Sequence, residues 1–155
     1  LNVGLIIVNN CGKVLICKRR GINQWQFPQG GINESEIPLK AAKREIFEEV
    51  GIRSSNIKNL GKIKDWIKYE IPKDLTRKSF KKKGIIGQKQ KWFMFKIKSS
   101  APITFENDPD AEFDDFAWVS YWHPISKIVS FKKRVYRDVL TELLPVYFRE
   151  FSDVN

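Results

Sequence analysis

Histidine and cysteine are scarce in this chain, which limits the kinds of site it can build. Its 155 residues include one histidine, His123, and two cysteines, Cys11 and Cys17. Both cysteines lie in or beside one predicted hairpin, without a second cysteine pair or a histidine at zinc-ligand spacing, so we expect reduced thiols. His123 precedes a proline and has no partner in the sequence, which favours a structural role over a catalytic one.

Long apolar runs and flexible linkers are also missing. No stretch approaches the roughly 18 apolar residues of a membrane span, and residues 1–8 lack the basic flank and cleavage site of a signal peptide. We therefore expect a cytoplasmic protein that does not act at a membrane. Because Gly/Ser-rich and Pro-rich linkers are absent and 42% of the residues are hydrophobic, we expect one domain over residues 1–155.

Positive charge dominates the chain, which has 28 Lys and Arg against 18 Asp and Glu and a net charge of +10. Residues 58–98 hold 14 of the basic residues and only three acidic ones. A basic surface attracts polyanions in a salt-dependent way, but a lysine-rich composition without function would give the same count. The charge therefore indicates either a polyanion-binding surface, including Lys81, Lys82 and Lys83, or a solvated face.

The pattern of apolar residues predicts a mixed α/β domain. Strands are predicted at NVGLIIV and KVLICKR around a turn at residues 9–12, and at residues 61–71, 89–97 and 116–120. Helices are predicted at residues 38–50, where Gly51 is the expected C-cap, and at residues 130–144. The second helix has an apolar face made of Val135, Val139, Leu140, Leu143 and Leu144.

The first predicted helix concentrates negative charge on one side. Glu45, Glu48 and Glu49 fall within an arc of about 100° on a helical wheel, beside the apolar side of the helix. Like charges at this spacing repel one another. Lys40, Lys43 and Arg44 lie on the remaining side, so the glutamates are not each neutralised by a lysine four residues away. Three carboxylates on one rigid face are suitable ligands for Mg²⁺ or Mn²⁺, although an acidic surface helix has the same composition.

The spacing around these glutamates favours the metal site. Gly30, five residues, Glu36, seven residues and then the run REIFEEVGI from residue 44 to 52 match every fixed position of the Nudix box. At this point the chain resembles the Nudix hydrolases. The resemblance implies a Nudix-type α/β/α sandwich with a mixed sheet, which binds Mg²⁺, Mn²⁺ or another divalent metal and hydrolyses a nucleoside diphosphate linked to another group. One departure is Ser35, where the family often has glycine.

Further segments extend the resemblance over nearly the whole chain. They are WQFPQGG, the Trp66, Tyr69 and Pro72 pattern in DWIKYEIP, GQKQKWF, EFDDFAWVSYW and VSFKKRVY. In their order and spacing they resemble the bacterial RNA pyrophosphohydrolases and the related asymmetric dinucleoside tetraphosphate hydrolases. Since the chain begins at Leu1 rather than Met, we expect a short N-terminal piece, where relatives have a phosphate-binding arginine, to be absent.

This resemblance implies removal of pyrophosphate from 5′-triphosphorylated RNA, or action on the corresponding diphosphate, to leave a 5′-monophosphate and so promote mRNA decay. Hydrolysis of diadenosine tetraphosphate remains an alternative, because the same pocket could bind a second nucleoside. An RNA-binding module with a vestigial site is a third possibility, against which the intact carboxylates argue. The expected partner is an RNA 5′ end or a nucleoside polyphosphate, the expected state is a monomer, and no protein activator is identified.

By resemblance, the residues of the Nudix box have catalytic roles. Glu45, Glu48 and Glu49 are the expected metal ligands, and one of them orients water. Arg44 steadies these carboxylates by ion pairing, and Glu36 supports the loop or a metal through water.

Other residues are assigned by the same resemblance. Glu112 matches the position of a further carboxylate that acts as a base or late metal ligand, but it could also be a solvated loop acid. Phe131 could likewise be a core aromatic residue. The expected substrate-binding residues are Arg19, Tyr69, Gln88, Val129, Phe131 and Lys132.

Overall fold

The computed structural model describes residues 1–72, 87–98 and 101–152, which form one mixed sheet with helices. The strands are β1 (Asn2–Val8), β2 (Val14–Arg19), β3 (Trp25–Gln26), β4 (Gln29–Gly31), β5 (Ile57–Lys62), β6 (Ile67–Glu70), β7 (Gly87–Ile97) and β8 (Phe113–Val119). The helices are α1 (Pro38–Val50), α2 (His123–Lys127) and α3 (Lys133–Phe151), and 3-10 turns span Ser54–Asn56 and Ser130–Lys132.

Strand β1 lies at the centre of the sheet. It pairs in parallel with β7 and antiparallel with β2 and β4, while β5 and β6 pair with β7, and β3 and β8 pair with β2. At the start of β1, Asn2 lies opposite Gly31 of β4 and Gln90 of β7. The sheet therefore brings the Gly-Gly segment that precedes α1 next to the beginning of β7.

Two hydrophobic cores cover the two faces of the sheet. One side of β1 packs in a cluster with the apolar face of α1, including Leu5 and Ile46. The other side of β1 packs in a cluster with α3, including Ile6 and Val139. All seven residues of β1 are buried, as expected for a strand covered on both faces. The predicted α/β/α arrangement with a mixed sheet is confirmed.

The strand predicted at residues 61–71 is wrong in its extent. The structure has two strands there, β5 and β6, and both pair with β7. Between them the Ile63 N–H donates to the Trp92 carbonyl oxygen at 3.1 Å, and the Lys64 N–H donates to the Glu142 carboxylate at 2.6 Å. The break depends on these contacts with distant residues, which local periodicity does not encode.

The second helix is longer than predicted. Residues 130–132 form a 3-10 turn, and α3 continues through Pro145 to Phe151 instead of ending at residue 144. The last turns are stabilised by packing, since Tyr147 donates a hydrogen bond to the Gly12 carbonyl oxygen at 2.6 Å and contacts the Tyr121 ring at 4.4 Å. No helix in the described ranges is both long enough and apolar enough to cross a bilayer.

Candidate active site

Close packing against α1 explains why the Nudix box begins with a glycine, Gly30. A Cβ atom on Gly30 would lie 2.1 Å from the Cδ atom of Glu45. Strand β4 thus passes directly against the carboxylate of α1, and any larger residue would displace it. At the other end of the helix, Gly51 has a φ of 76°, and its N–H donates to the Phe47 carbonyl oxygen at 2.9 Å, which terminates α1.

Arg44 joins the carboxylates of the site to one another. Its guanidinium donates two hydrogen bonds of 2.9 Å to Glu36, one of 2.7 Å to Glu45 and one of 3.3 Å to Glu48. It also donates to the Gly31 carbonyl oxygen at 2.8 Å. A planar group with five donors can satisfy several acceptors at once. Arg44 therefore fixes the start of the motif against its helix.

Glu36 is held in the ionised form. The hydrogen bonds from Arg44, reinforced by the Asn33 N–H at 3.0 Å, lower the pKa of Glu36 to about 2. The carboxylate thus ties the loop before α1 to the helix itself. This arrangement matches a role in supporting the loop, one of the two roles that the resemblance implies for Glu36.

Glu49 lies in a different environment from its neighbours. It is 3% exposed, and its Oε2 atom is the one buried side-chain oxygen or nitrogen without a hydrogen-bond partner in the described part of the chain. Burial, followed by the adjacent Glu112 carboxyl, raises the pKa of Glu49 well above its usual range. Burial also raises the pKa of Glu45, against the opposing effect of Arg44.

Glu112 is placed near Glu49 by a network of loop contacts. Its N–H donates to the Asp108 carboxylate at 2.9 Å, and its carbonyl oxygen accepts the Arg20 N–H at 2.8 Å. The preceding residue, Ala111, has a φ of 46°, a conformation that L-residues seldom adopt. The loop therefore holds Glu112 in a defined position against the acidic face of α1.

One cleft of about 1430 Å³ contains both groups of predicted site residues. These groups are the carboxylates of the acidic end and the substrate-binding residues of the aromatic end. At the aromatic end, the Lys132 ammonium lies 5.2 Å from the Tyr69 ring centre. The Tyr69 and Phe131 ring centres are 6.2 Å apart, and the Tyr69 hydroxyl donates to Gln88. Phe131 is half-buried, so its ring both joins the core and reaches the cleft. The predicted residues that line the cleft are Arg19, Glu45, Glu48, Glu49, Tyr69, Gln88, Glu112, Val129, Phe131 and Lys132.

Two predicted residues stand apart from this lining. Arg44 and Glu36 are not part of the cleft wall and act on it only through the hydrogen bonds given above. The cleft wall also includes residues that were not among the predicted site residues: Asn2, Gln29, Lys68, Asp108 and Asp110. Gln29 lies within the WQFPQGG segment that supports the family resemblance, and Asp108 and Asp110 lie in the acidic run NDPDAE. These two sequence features could have identified the three residues.

The match to known families agrees with this geometry. A model of the NUDIX domain matches residues 1–139. The chain belongs to the Nudix family. It is therefore a hydrolase by family, and Nudix hydrolases generally need a divalent metal.

Relatives of known name are similar over most of their length. The chain is 46% identical over 145 residues to the RNA pyrophosphohydrolase of Shewanella sediminis, which covers 93% of this chain and 84% of that protein. It is also 46% identical over 146 residues to the RNA pyrophosphohydrolase of Proteus mirabilis, with 94% of this chain and 82% of the relative covered.

Solved structures of other hydrolases share the fold at lower identity. The E. coli dihydroneopterin triphosphate pyrophosphohydrolase superposes with a TM-score of 0.69 at 21% identity, over 90% of this chain and 94% of the other. A C. elegans Ap4A hydrolase gives a TM-score of 0.66 at 15% identity, over 94% and 98% of the two chains. At these identities the comparison establishes the fold.

The residues of the Nudix box fit a divalent cation chemically. Carboxylate oxygens are the ligands that Mg²⁺ and Mn²⁺ prefer, and the orphaned Oε2 of Glu49 is a buried acceptor without a donor. Across residues 1–72, 87–98 and 101–152, no group of three or more His, Cys, Asp or Glu side chains is preassembled as a metal site. In this structure the Arg44 guanidinium forms ion pairs with carboxylate oxygens of Glu45 and Glu48.

Proposed function

We propose that this Nudix protein removes pyrophosphate from the 5′ end of triphosphorylated RNA, leaving a 5′-monophosphate, and uses Mg²⁺ or Mn²⁺. The supporting observation is that one cleft combines the acidic face of α1 with a basic and aromatic wall. The relatives with 46% identity are RNA pyrophosphohydrolases, which supports the same substrate. We place the activity in the cytoplasm, in a monomer that promotes mRNA decay.

The acidic end of the cleft is proposed to hold the cation. Glu45, Glu48 and Glu49 are the proposed ligands, with Glu36 supporting the loop or contributing through water. A divalent cation, when bound, neutralises charge on the phosphate oxygens and polarises the attacking water. Arg44 keeps the carboxylates close together despite their mutual repulsion, because it donates to three of them.

Glu112 is proposed as the general base or as an additional ligand late in the reaction. A base must come within hydrogen-bond reach of the proton it removes. The backbone contacts of Glu112 hold it next to Glu49 at the edge of the cleft. This position supports the proposal that Glu112 accepts a proton from the attacking water molecule.

The other end of the cleft is proposed to bind the first nucleotides of the RNA. Aromatic faces stack on unpaired bases, and lysine and arginine bind phosphates. Phe131 and Tyr69 supply the aromatic surface, and Lys132 lies over the Tyr69 ring. Arg19, Gln88 and Val129 complete this proposed pocket.

A direct comparison of substrates tests the proposal. Triphosphorylated RNA and diadenosine tetraphosphate are supplied separately with Mg²⁺, and each reaction is repeated with EDTA. We expect pyrophosphate and monophosphorylated RNA as products, formed only with the metal and lost in the Glu48→Gln variant. Faster cleavage of the dinucleotide would assign the cleft to dinucleoside polyphosphates. RNA binding without hydrolysis of either substrate would support a binding module instead.

A further inference from the structure

A chain of hydrogen-bonded polar side chains links Lys132, at the aromatic end of the cleft, to Gln29 and the buried Gln90. The Lys132 ammonium donates to the Gln29 side-chain oxygen at 2.8 Å, and the Gln90 amide nitrogen donates to the same oxygen at 3.1 Å. The Gln90 nitrogen also donates to the Asn2 side-chain oxygen at 2.7 Å, while the Gln90 oxygen accepts the Trp92 indole N–H at 3.0 Å. Gln90 is fully buried, and Lys132 and Asn2 are each 7% exposed.

Chemistry fixes the direction of every hydrogen bond in this chain. Lysine ammonium and indole N–H groups donate and cannot accept. The oxygen of Gln29 must therefore face Lys132, and the oxygen of Gln90 must face Trp92. It follows that Gln90 turns its nitrogen towards Gln29, so both groups that contact the Gln29 oxygen, the Lys132 ammonium and the Gln90 amide nitrogen, donate to it. The amide of Gln29 has only one possible orientation.

This orientation leaves the nitrogen of Gln29 available to a ligand. Both donors that reach Gln29 use its oxygen, and within the described residues its NH₂ group has no acceptor. Among the described residues, Glu49 Oε2 is the one buried side-chain nitrogen or oxygen atom without a hydrogen-bond partner. The unpartnered nitrogen of Gln29 is therefore accessible to solvent. Gln29 lines the cleft. It therefore presents N–H donors and no acceptor to the cleft.

The position of Gln29 determines which part of a substrate it meets. Its backbone pairs with Gly4 in the sheet, and it directly precedes Gly30, which contacts Glu45. Its side chain bonds to Lys132 at the aromatic end. A substrate with its base at the aromatic end and its reacting phosphates over the glutamates has its phosphate chain at Gln29.

We propose that Gln29 is a specificity-determining residue whose locked amide donates a hydrogen bond to the phosphate chain of the substrate. The inference rests on the proposed function for the identity of that substrate. Phosphate oxygens only accept hydrogen bonds, so a group that can only donate favours them over ligands that need an acceptor. Because Lys132 and Gln90 hold the amide before the substrate arrives, the contact requires no reorganisation of Gln29.

The Gln29→Glu variant removes the N–H donors of the Gln29 side chain and keeps the size and shape of that side chain. One carboxylate oxygen can still accept from Lys132 and Gln90, so we expect the melting temperature to stay within about 2 °C, as a preserved network implies. The other oxygen replaces the donor with a negative acceptor. We expect about 10- to 100-fold weaker binding of a 5′-triphosphorylated dinucleotide to metal-free protein, as for a lost charge-assisted hydrogen bond, and a comparable rise in KM.

Two comparisons make the result specific. The Gln26→Glu variant adds the same charge to the cleft wall and measures the effect of charge alone. A 5′-hydroxyl dinucleotide, which lacks the triphosphate, measures the binding that does not depend on phosphate. We expect the loss to be at least about tenfold larger for Gln29→Glu than for Gln26→Glu, and confined to the triphosphorylated ligand. Equal losses in the two variants, or an equal loss for both ligands, would overturn the role of Gln29. If the parent neither binds nor hydrolyses triphosphorylated RNA, the proposed function fails first.

Discussion

Glu49 contains the most unusual atom of the site, a buried carboxylate oxygen with no hydrogen-bond partner among the described residues. Burying an uncompensated carboxylate is costly, and the same burial raises the pKa of Glu49. A bound cation would compensate this oxygen directly. The unfavourable environment is therefore explained if Glu49 is a metal ligand.

The Glu49→Gln variant tests this explanation, because it removes the charge and keeps the volume. We expect kcat to fall by a factor on the order of 10² to 10⁴, equivalent to several kcal/mol at about 1.4 kcal/mol per factor of ten. In parent protein, Mg²⁺ or Mn²⁺ should raise the melting temperature, and this gain should be lost in the variant. Glu34→Gln, an exposed change in the loop before α1, is the control. Near-normal turnover of Glu49→Gln at saturating Mg²⁺ would exclude Glu49 from the site.

Ser35 is strained in the position where the Nudix family often has glycine. Its φ is 65°, and a left-handed conformation costs an L-residue about 1–2 kcal/mol. Glycine removes this strain but loses about 0.5–1 kcal/mol through the flexibility of the unfolded chain. We expect Ser35→Gly to raise the free energy of unfolding by about 0.5–1 kcal/mol, measured by urea denaturation.

The neighbouring variant Glu34→Gly is the matched control for Ser35→Gly. Glu34 is not among the residues with a positive φ, so glycine there should lower the free energy of unfolding by about 0.5 kcal/mol. A loss of stability in both variants would show that Ser35 adopts its conformation without strain.

At the scale of elements, the end of α1 depends on both backbone conformation and close packing. Gly51 and Gly21 each have a φ of 76°, but a Cβ on Gly51 would lie 2.2 Å from the Thr104 side chain, whereas nothing lies within 4 Å of a Cβ on Gly21. Backbone strain should therefore be common to both positions, and the steric clash should be confined to Gly51.

The paired variants Gly51→Ala and Gly21→Ala separate these two effects. We expect Gly21→Ala to cost about 1 kcal/mol through the left-handed conformation alone. Gly51→Ala should cost about 1–3 kcal/mol more, because overpacking adds to the strain. The free energies of unfolding provide the comparison, and equal losses would mean that the contact with Thr104 relaxes freely.

Elements whose signals are local could be predicted from the sequence. Helix α1 was predicted with its observed bounds, since Pro38 at its start and Gly51 at its end act on the backbone directly. The division of residues 61–71 into two strands, and the continuation of α3 through Pro145, could not be predicted. Both result from contacts with residues far away in sequence, such as Trp92 with Ile63.

The same distinction holds for the site. The carboxylates of α1 follow from the spacing of one contiguous motif, and the resemblance supplied Glu112 and the residues of the aromatic end. The orientation of the Gln29 side chain could not be predicted, because it depends on Lys132 and Gln90, which are 103 and 61 residues away. A hydrogen-bond network of this kind becomes visible only when the sheet is assembled.

At the scale of the whole molecule, the excess of positive charge predicts how salt affects substrate binding. Lys68 and Lys89 lie opposite each other on β6 and β7, are exposed and line the cleft; Lys81, Lys82 and Lys83 lie outside the described residues. Each phosphate contact to single-stranded RNA contributes a slope of about −0.7 in log affinity against log salt. We expect KM to rise more steeply with salt for a longer RNA than for diadenosine tetraphosphate.

The double variant Lys68→Gln with Lys89→Gln should reduce the salt slope for RNA by about 1.4, corresponding to two lost contacts, and spare the dinucleotide. Lys13→Gln with Lys62→Gln removes the same charge from exposed positions outside the cleft wall and is the control. Equal slopes for the two substrates, unchanged by Lys68→Gln with Lys89→Gln, would show that this lysine pair does not contact RNA.

The most direct test of the account is a competition between triphosphorylated RNA and diadenosine tetraphosphate in one reaction with Mg²⁺. The ratio in which the two are consumed gives the ratio of their kcat/KM values without separate kinetic constants. We predict that the RNA is consumed faster, with release of pyrophosphate, and that Glu49→Gln slows both reactions by a factor on the order of 10² or more, because they share one cleft. Preferential consumption of the dinucleotide, or near-parent rates for either substrate in Glu49→Gln, would contradict the account.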